Sequence, residues 1–286
     1  MSVTELDVKE PDSSAGKSVL ERAFAIIRFL AQSPADGLRV TEISRQLGLT
    51  QATVHRTLQS LIGQSVVEQD VNSKRYRLSI DFFSMAARAG NPMNLRDVCR
   101  PSLIRLCASL GDTVFLLVRN GFDAVCLDRA EGPVPIRSFT GDIGGRVALG
   151  IGQGSLTILS YLPEAERDEV IRNNLPRIKD VSQLDEVYIR LEVERIRQLG
   201  YAHRTSGLLE GMAGVAVPLR DQTGRAYASL SIGSIASRIT PERLPIIVQL
   251  LRREVEVIEP KVSPFDPALR RSMQHFAAIM PNNPGN

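Results

Sequence analysis

Only three cysteines, Cys99, Cys107 and Cys126, stand among the 286 residues, and none forms a C-x-x-C pair. An odd number without that spacing argues against a disulfide framework and against a zinc site. The three are expected to be buried thiols. Long apolar runs are also missing, none approaching the roughly 18 residues of a membrane span. The opening MSVTELDVKEPDSSAG is acidic and poor in apolar residues, so it lacks the apolar core of a secretory signal. The chain is therefore expected in the cytoplasm, off the membrane. Net charge is scarce as well, at +3, too small over the whole chain to identify a nucleic-acid partner.

What is present describes a soluble globular protein, 43% hydrophobic and 23% charged. The length exceeds what one small core serves, which predicts two domains. The basic charge is unevenly placed. Between Lys17 and Leu78 there are nine Lys/Arg and five Asp/Glu, so the excess gathers in the first quarter of the chain.

That quarter holds the stretch VTEISRQLGLTQATVHRTLQSLI, Val40 to Ile62. Ile43 and Leu47 lie one helical turn apart, with Thr41 as the expected N-cap and Gly48 as the left-handed turn residue. Thr50 caps the next helix, in which Val54, Leu58 and Leu61 fall on one face. The opposite face carries Gln51, Thr53, His55, Arg56, Gln59 and Ser60. Those side chains have the length and the donors and acceptors to touch phosphates and base edges. The pattern is a helix-turn-helix with Gln51 to Ile62 as its recognition helix. A helix precedes it after Ser18, with an apolar stripe through Leu30. Two short β-type runs follow around Asp70 to Ser73, the second bearing Lys74, Arg75 and Arg77. A basic returning strand after a recognition helix makes a winged helix-turn-helix. Thr50 joins these nine residues to complete the expected DNA-binding set.

The boundaries follow from composition. Residues 1–16 read as a mobile tail, 17–80 as the winged domain, 81–93 as a linker helix with Phe82, Phe83, Met85 and Ala86 on a sticky face, and 94–262 as a second domain. Residues 263–286 read as a loose tail. In the second domain, Pro101 marks a kink or restart in a helix ending at Leu110. TVFLLVRNG and DAVCLDRAEG form a hairpin around Asn120-Gly121, VPIRSFT is a third strand run, and amphipathic helices at 164–173 and 185–199 precede paired strands around Asp221 to Gly224. A final helix spans 241–258. This order indicates an α+β sheet with helices on one face.

Between the strands lies GDIGGRVALGIGQGS, six glycines leading into an apolar helix over 156–162. Such a loop can hold an anion on free N–H groups at a helix N-terminus, or its glycines can serve tight turns alone. It lacks the G-K-[ST] of a P-loop, the G-x-x-G of a dinucleotide fold and the G-x-S-x-G of a hydrolase. His203 has no recognisable nucleophile partner. No catalytic residue, metal ligand or cofactor site is assigned.

The stretches SVLERAFAIIRFL, LTQATVHRTLQSL, YRLS, TVFLLVRNG, LDRAEGP, GGRVALGIGQGS, RQLGYA and PLRDQTGRAYASLSIG with SRIT resemble the IclR family of bacterial transcription regulators, in that order, from Ser18 to about Val262. The resemblance implies an N-terminal winged domain on operator DNA, a linker helix used in dimerisation and a C-terminal α+β, GAF-like domain that binds a small carboxylic or aromatic acid. Carried over by position, it implies an effector pocket lined by Leu149, Gly152, Gln153, Gly154, Ser155, Arg204, Met212, Gly214, Ser231 and Gly233. The expected partners are double-stranded DNA, a small organic acid and further copies of the chain as a dimer or tetramer. A small-molecule enzyme or carrier with a helical adaptor is the alternative, resting on the glycine loop alone.

Overall fold

The computed structural model describes residues 18–34, 36–89, 95–133, 136, 142–181, 184–204 and 211–262. They fall into two compact units, Met1–Asn91 and Pro92–Asn286.

In the first unit, α1 (Val19–Ala31) starts in a capping box: the Ser18 hydroxyl accepts the Glu21 N–H while the Glu21 carboxylate accepts the Ser18 N–H. α2 (Val40–Leu47) ends at Gly48, whose φ of 63° turns the chain into α3 (Gln51–Gly63). The expected cap at Thr41 is displaced to Arg39. There the Glu42 carboxylate reaches back 2.7 Å to the Arg39 N–H and so starts the helix two residues earlier. Thr50 does cap α3, accepting the Thr53 N–H at 3.2 Å. Ile26, Leu30, Ile43, Val54, Leu58 and Leu61 close one apolar core between the three helices, each worth about 1.5–3 kcal/mol of burial.

The wing is β1 (Val67–Gln69) antiparallel to β2 (Tyr76–Leu78). It is tied to the helices through Tyr76, 2% exposed, whose backbone exchanges two hydrogen bonds with Leu38 at 2.7 and 2.9 Å. Gly37 precedes that bridge at φ 78°, and a side chain there would strike the Tyr76 carbonyl oxygen. α4 (Ile80–Ala89) follows Ser79, whose hydroxyl accepts the Phe82 N–H.

The second unit begins with α5 (Leu95–Leu110), which runs on through Pro101. The lost N–H bond is outweighed by a buried face of Leu95, Cys99, Leu103, Leu106 and Leu110. Then come β3 (Thr113–Asn120), β4 (Asp123–Ala130), β5 (Arg146–Ala148), α6 (Gln153–Ser160), α7 (Glu164–Val181), α8 (Glu186–Leu199), β6 (Ala202–Arg204), β7 (Met212–Arg220), β8 (Ala226–Ile235) and α9 (Arg243–Ile258). The six strands form one antiparallel sheet in the order β5-β4-β3-β8-β7-β6. The run VPIRSFT lies outside the described residues except for Ile136, and β5 emerges from within the expected glycine loop.

Helices cover both faces of this sheet, not the single face expected. α5 and α9 pack on Val114, Leu116, Val215, Val217, Leu230 and Ile232. α6, α7 and α8 pack on Phe115, Leu117, Ala124, Cys126, Ala202 and Ala216. The physical reason lies in β3, β7 and β8, which are buried along most of their length; a strand covered on one side only would alternate.

The α9 layer is fixed by Asp112, 2% exposed. Its carboxylate accepts from Ser234 Oγ at 2.5 Å, Arg238 Nε at 2.9 Å and Arg243 Nη2 at 2.6 Å. Asp112→Asn leaves two guanidiniums without their counter-charge, an expected loss of about 3 kcal/mol. The chain has no tryptophan, so urea unfolding followed by far-UV circular dichroism is the suitable readout, and an unchanged midpoint would contradict the clamp.

Candidate functional site

On α3 the apolar face is spent on the core, and Gln51, His55, Arg56, Gln59 and Ser60 are exposed on the other side. Thr50 and Thr53 sit at its N-terminus joined by a hydroxyl–hydroxyl bond of 2.9 Å. The sequence reading overlooked Ala52, which is exposed on the same face. Its position one residue before Thr53 was the available signal, and its methyl is of the kind that meets a thymine methyl.

The wing turn is rigid. The Asp70 carboxylate accepts the N–H groups of Asn72 and Ser73 at 3.0 and 2.7 Å, and the Ser73 bonds hold its pKa below the usual carboxylate value. Lys74 follows at φ 58° and is exposed. The three basic wing residues then separate. Arg75 turns inward, donating to the Gly37 carbonyl at 2.6 Å and pairing with Glu42 and Asp36 at 3.5 and 3.7 Å. Arg77 is half-exposed and pairs with Glu68 at 2.5 Å.

In the second unit, strand alternation puts Ala202, Arg204, Met212, Gly214, Ala216, Ser229, Ser231 and Gly233 on the α6 face of the sheet. Most are small, so α6 seats closely: a Cβ on Gly154 would stand 2.6 Å from Leu117 Cδ1 and 3.1 Å from both serine Oγ atoms. Ser229 donates to the Gly154 carbonyl at 2.9 Å. Gln153 lies over Gly214, and Ile136 and Phe115 lie over Gly233. Around this patch Gly152, Gln153, Arg204, Met212, Gly214 and Gly233 are each partly exposed. α6 begins at Gly152 with no side-chain cap, and Gln153 Oε1 is enclosed without a hydrogen-bond partner among the described residues. Arg204 stacks on the Tyr188 ring, 4.8 Å from its centroid.

Two of the expected pocket residues are committed elsewhere. The Ser155 hydroxyl, on the third residue of α6, is buried and donates to the Ile151 carbonyl four residues back at 2.5 Å. Leu149 is fully buried, with its carbonyl held by Asn174 Nδ2 at 3.0 Å. His203 alternates to the other face of β6, and burial lowers its pKa.

A winged helix-turn-helix unit with an exposed polar recognition face, followed by an α+β unit whose sheet turns small residues towards α6, defines a DNA-binding regulator. Comparison with known proteins gives the same class. Residues 87–259 match the family model described as bacterial transcriptional regulator IclR C-terminal, and residues 19–71 match the IclR helix-turn-helix domain. The HTH-type transcriptional repressor AllR of Klebsiella pneumoniae is 27% identical over 245 residues, 85% of this chain and 89% of the relative. The HTH-type transcriptional regulator BhcR of Paracoccus denitrificans is 29% identical over 236 residues, 82% and 83% of the two chains. Among solved structures, Thermotoga maritima IclR superposes with a TM-score of 0.66 at 25% identity over 85% of this chain and 98% of its own. An IclR homolog of Microbacterium hydrocarbonoxydans complexed with 4-hydroxybenzoate gives 0.70 at 22% identity, over 86% and 99%. The chain belongs to the IclR family: it is a helix-turn-helix transcriptional regulator.

The closeness of α6 to the sheet yields a direct test. Gly154→Ala places a methyl into Leu117 and the two serines, with an expected cost of about 1–3 kcal/mol. An unaltered urea midpoint would mean that α6 can lift off the strands freely.

Proposed function

We propose that α3 enters the major groove of operator DNA and that a small organic acid bound in the second unit modulates that contact. The observation carrying the first half is the division of α3 into a buried apolar face and an exposed face of Gln51, Ala52, His55, Arg56, Gln59 and Ser60. Arg56 takes a phosphate or guanine, and Gln51 and Thr53 take base edges. On the wing, Lys74 is the free phosphate contact and Arg77 a partly neutralised one. Arg75 serves the wing's attachment to the helices instead. The matched relatives are regulators, and nothing supports the enzyme or carrier alternative beyond the glycine loop. The protein acts in the cytoplasm, where its DNA target lies.

Arg56→Ala is expected to weaken operator binding by roughly 1–3 kcal/mol. Lys74→Ala should weaken all sequences alike and lower the log–log salt slope by about 0.9. Arg75→Ala should lower thermal stability and leave that slope near its parental value. Fluorescence anisotropy over a salt series separates the three; a parental slope in Lys74→Ala would turn the wing tip towards solvent.

For the effector, the supporting features are the uncapped N-terminus of α6, the small-residue floor and Arg204. A helix N-terminus favours a carboxylate. Arg204, held flat on Tyr188, keeps the planar edge of its guanidinium for bidentate pairing, which a lysine does not reproduce. The enclosed Gln153 amide calls for a ligand that also carries a polar group, and the 4-hydroxybenzoate held by the Microbacterium homolog belongs to that chemical class. The comparison that checks this is ligand-dependent release of operator DNA by the parent, Arg204→Lys and Arg204→Ala. Both variants should need at least ten-fold more 4-hydroxybenzoate or related acid; equal half-effective concentrations in all three would remove Arg204 from the pocket and leave DNA binding untouched.

The chain acts as a homodimer in this reading. Val19, Leu20 and Phe24 on α1 and Ile80, Phe83 and Met85 on α4 are large apolar side chains left exposed, more than a lone small unit keeps in water without use. Paired units would meet paired half-sites about one helical turn apart or a multiple of it. Phe82, expected on the same seam, is only partly exposed.

A further inference from the structure

On the other face of the sheet, α5 and β4 enclose an open cavity of about 610 Å³ lined by Arg96, Arg100, Ile104, Cys107, Asp128 and Ile143 among others. That volume lies within the roughly 300–1,000 Å³ of small-molecule sites. Its charged end is built around Asp128. β4 pairs with β3 through a bulge that passes over Leu127, since Leu116 faces Asp128 and Leu117 faces Cys126. The extra residue re-aims the strand, so Cys126 enters the α6 side while Asp128 turns towards α5. The carboxylate is fully buried. Its Oδ1 accepts from Arg100 Nη1 at 3.1 Å and from the Arg129 N–H at 2.9 Å. Its Oδ2 lies 3.5 Å from Arg96 Nε.

Arg96 and Arg100 are one helical turn apart on α5, and one carboxylate cannot neutralise two guanidiniums. Arg100 is held further by the Arg129 carbonyl at 2.7 Å. The Arg129 side chain is itself paired with both Glu131 and Asp142, so that group carries one net negative charge, and Glu131 also lines the cavity. Both Arg96 and Arg100 remain about half exposed, at 51% and 45% of their side chains. The result is a pair of planar cations sharing one buried carboxylate at the mouth of a cavity, each with part of its guanidinium edge open to solvent. Apart from Glu131, which is held on Arg129, the rest of the lining is apolar: Ile104 and Ile143 are half exposed, and the Cys107 thiol has its pKa raised by burial and by Asp112, so it adds no negative charge.

From this juxtaposition we infer that the α5–β4 cavity is a second ligand site for an amphipathic carboxylate, its head on Arg96 and Arg100 and its hydrocarbon on Ile104, Cys107 and Ile143. Guanidinium pairs suit a carboxylate held through two N–H bonds, and a chain of several carbons fills the apolar remainder. The site lies on the face opposite Gln153, so it stands independently of the α6 pocket.

The test is equilibrium dialysis of the intact chain against octanoate, with octanamide as the neutral probe. Ile104→Glu, at an exposed position that touches none of the Asp128 bonds, introduces a repelling charge; Arg96→Gln/Arg100→Gln removes the cations; Arg204→Ala reports on the other face. The expected result is one octanoate per chain lost, or weakened at least ten-fold, in both α5 variants and retained in Arg204→Ala. Octanamide should bind at least ten-fold more weakly than octanoate. Failure of the parent to bind octanoate, equal binding in Ile104→Glu, equal binding of octanamide, or loss of that molecule in Arg204→Ala would each overturn the site. So would a change in molar mass of Ile104→Glu by light scattering without bound octanoate, which would make the groove a contact between copies.

Discussion

The two faces of the second unit's sheet carry side chains of different size, and the seating of α6 depends on that difference. Towards α5 and α9 the central strands present mostly Val, Leu and Ile, which fill the space between layers. Towards α6 the strands present Gly214, Ala216, Ser229, Ser231 and Gly233, which do not. A helix can therefore settle close to the strands at Gly154, with Gln153 over Gly214 and Ile136 and Phe115 over Gly233. The same sheet thus carries large side chains towards one helical layer and small ones towards the other.

The first unit solves a different problem with the same economy. Its core is small, so the wing cannot rest on apolar contacts alone. The bridge from Tyr76 to Leu38, the close passage of Gly37 and the inward arginine Arg75 fix the hairpin against the segment between α1 and α2. With the wing held, Lys74 and the polar face of α3 are presented from one small frame. That is what a surface meeting a rigid, regularly charged duplex requires.

Much of this was legible in the amino-acid sequence because local rules decided it. Gly48, the Thr50 cap and the Val54, Leu58, Leu61 spacing all act within a turn or two, and each element formed where the pattern put it. The misses share one cause, competition from contacts distant in sequence or from backbone groups. Glu42 moved the start of α2 away from Thr41, and a buried face carried α5 through Pro101. Arg75 looked equivalent to Lys74 and Arg77, yet the Gly37 carbonyl across the unit claims it. The second helical layer was hidden for a similar reason: continuous apolar runs such as TVFLLV signal burial on both faces, but which helices provide it depends on strand order. At the pocket, sequence spacing could bring Gln153, Gly214 and Ser231 together only through family resemblance, since no local period links a helix start to two later strands. Ser155, one residue along, was lost to its own backbone.

The central claim is that the exposed face of α3 reads DNA and that a small acid in the second unit changes how tightly it does so. The most direct measurement is a fluorescence-anisotropy titration of the intact protein on DNA from upstream of its own gene, against scrambled DNA of equal length, at fixed physiological salt, with and without a panel of aromatic and short carboxylic acids. The account predicts a Kd of about 10⁻⁸ M or tighter on the upstream DNA, at least 10³-fold weaker binding to the scrambled sequence, and a shift of at least five-fold by one member of the panel. Equal affinity for both DNAs would contradict it.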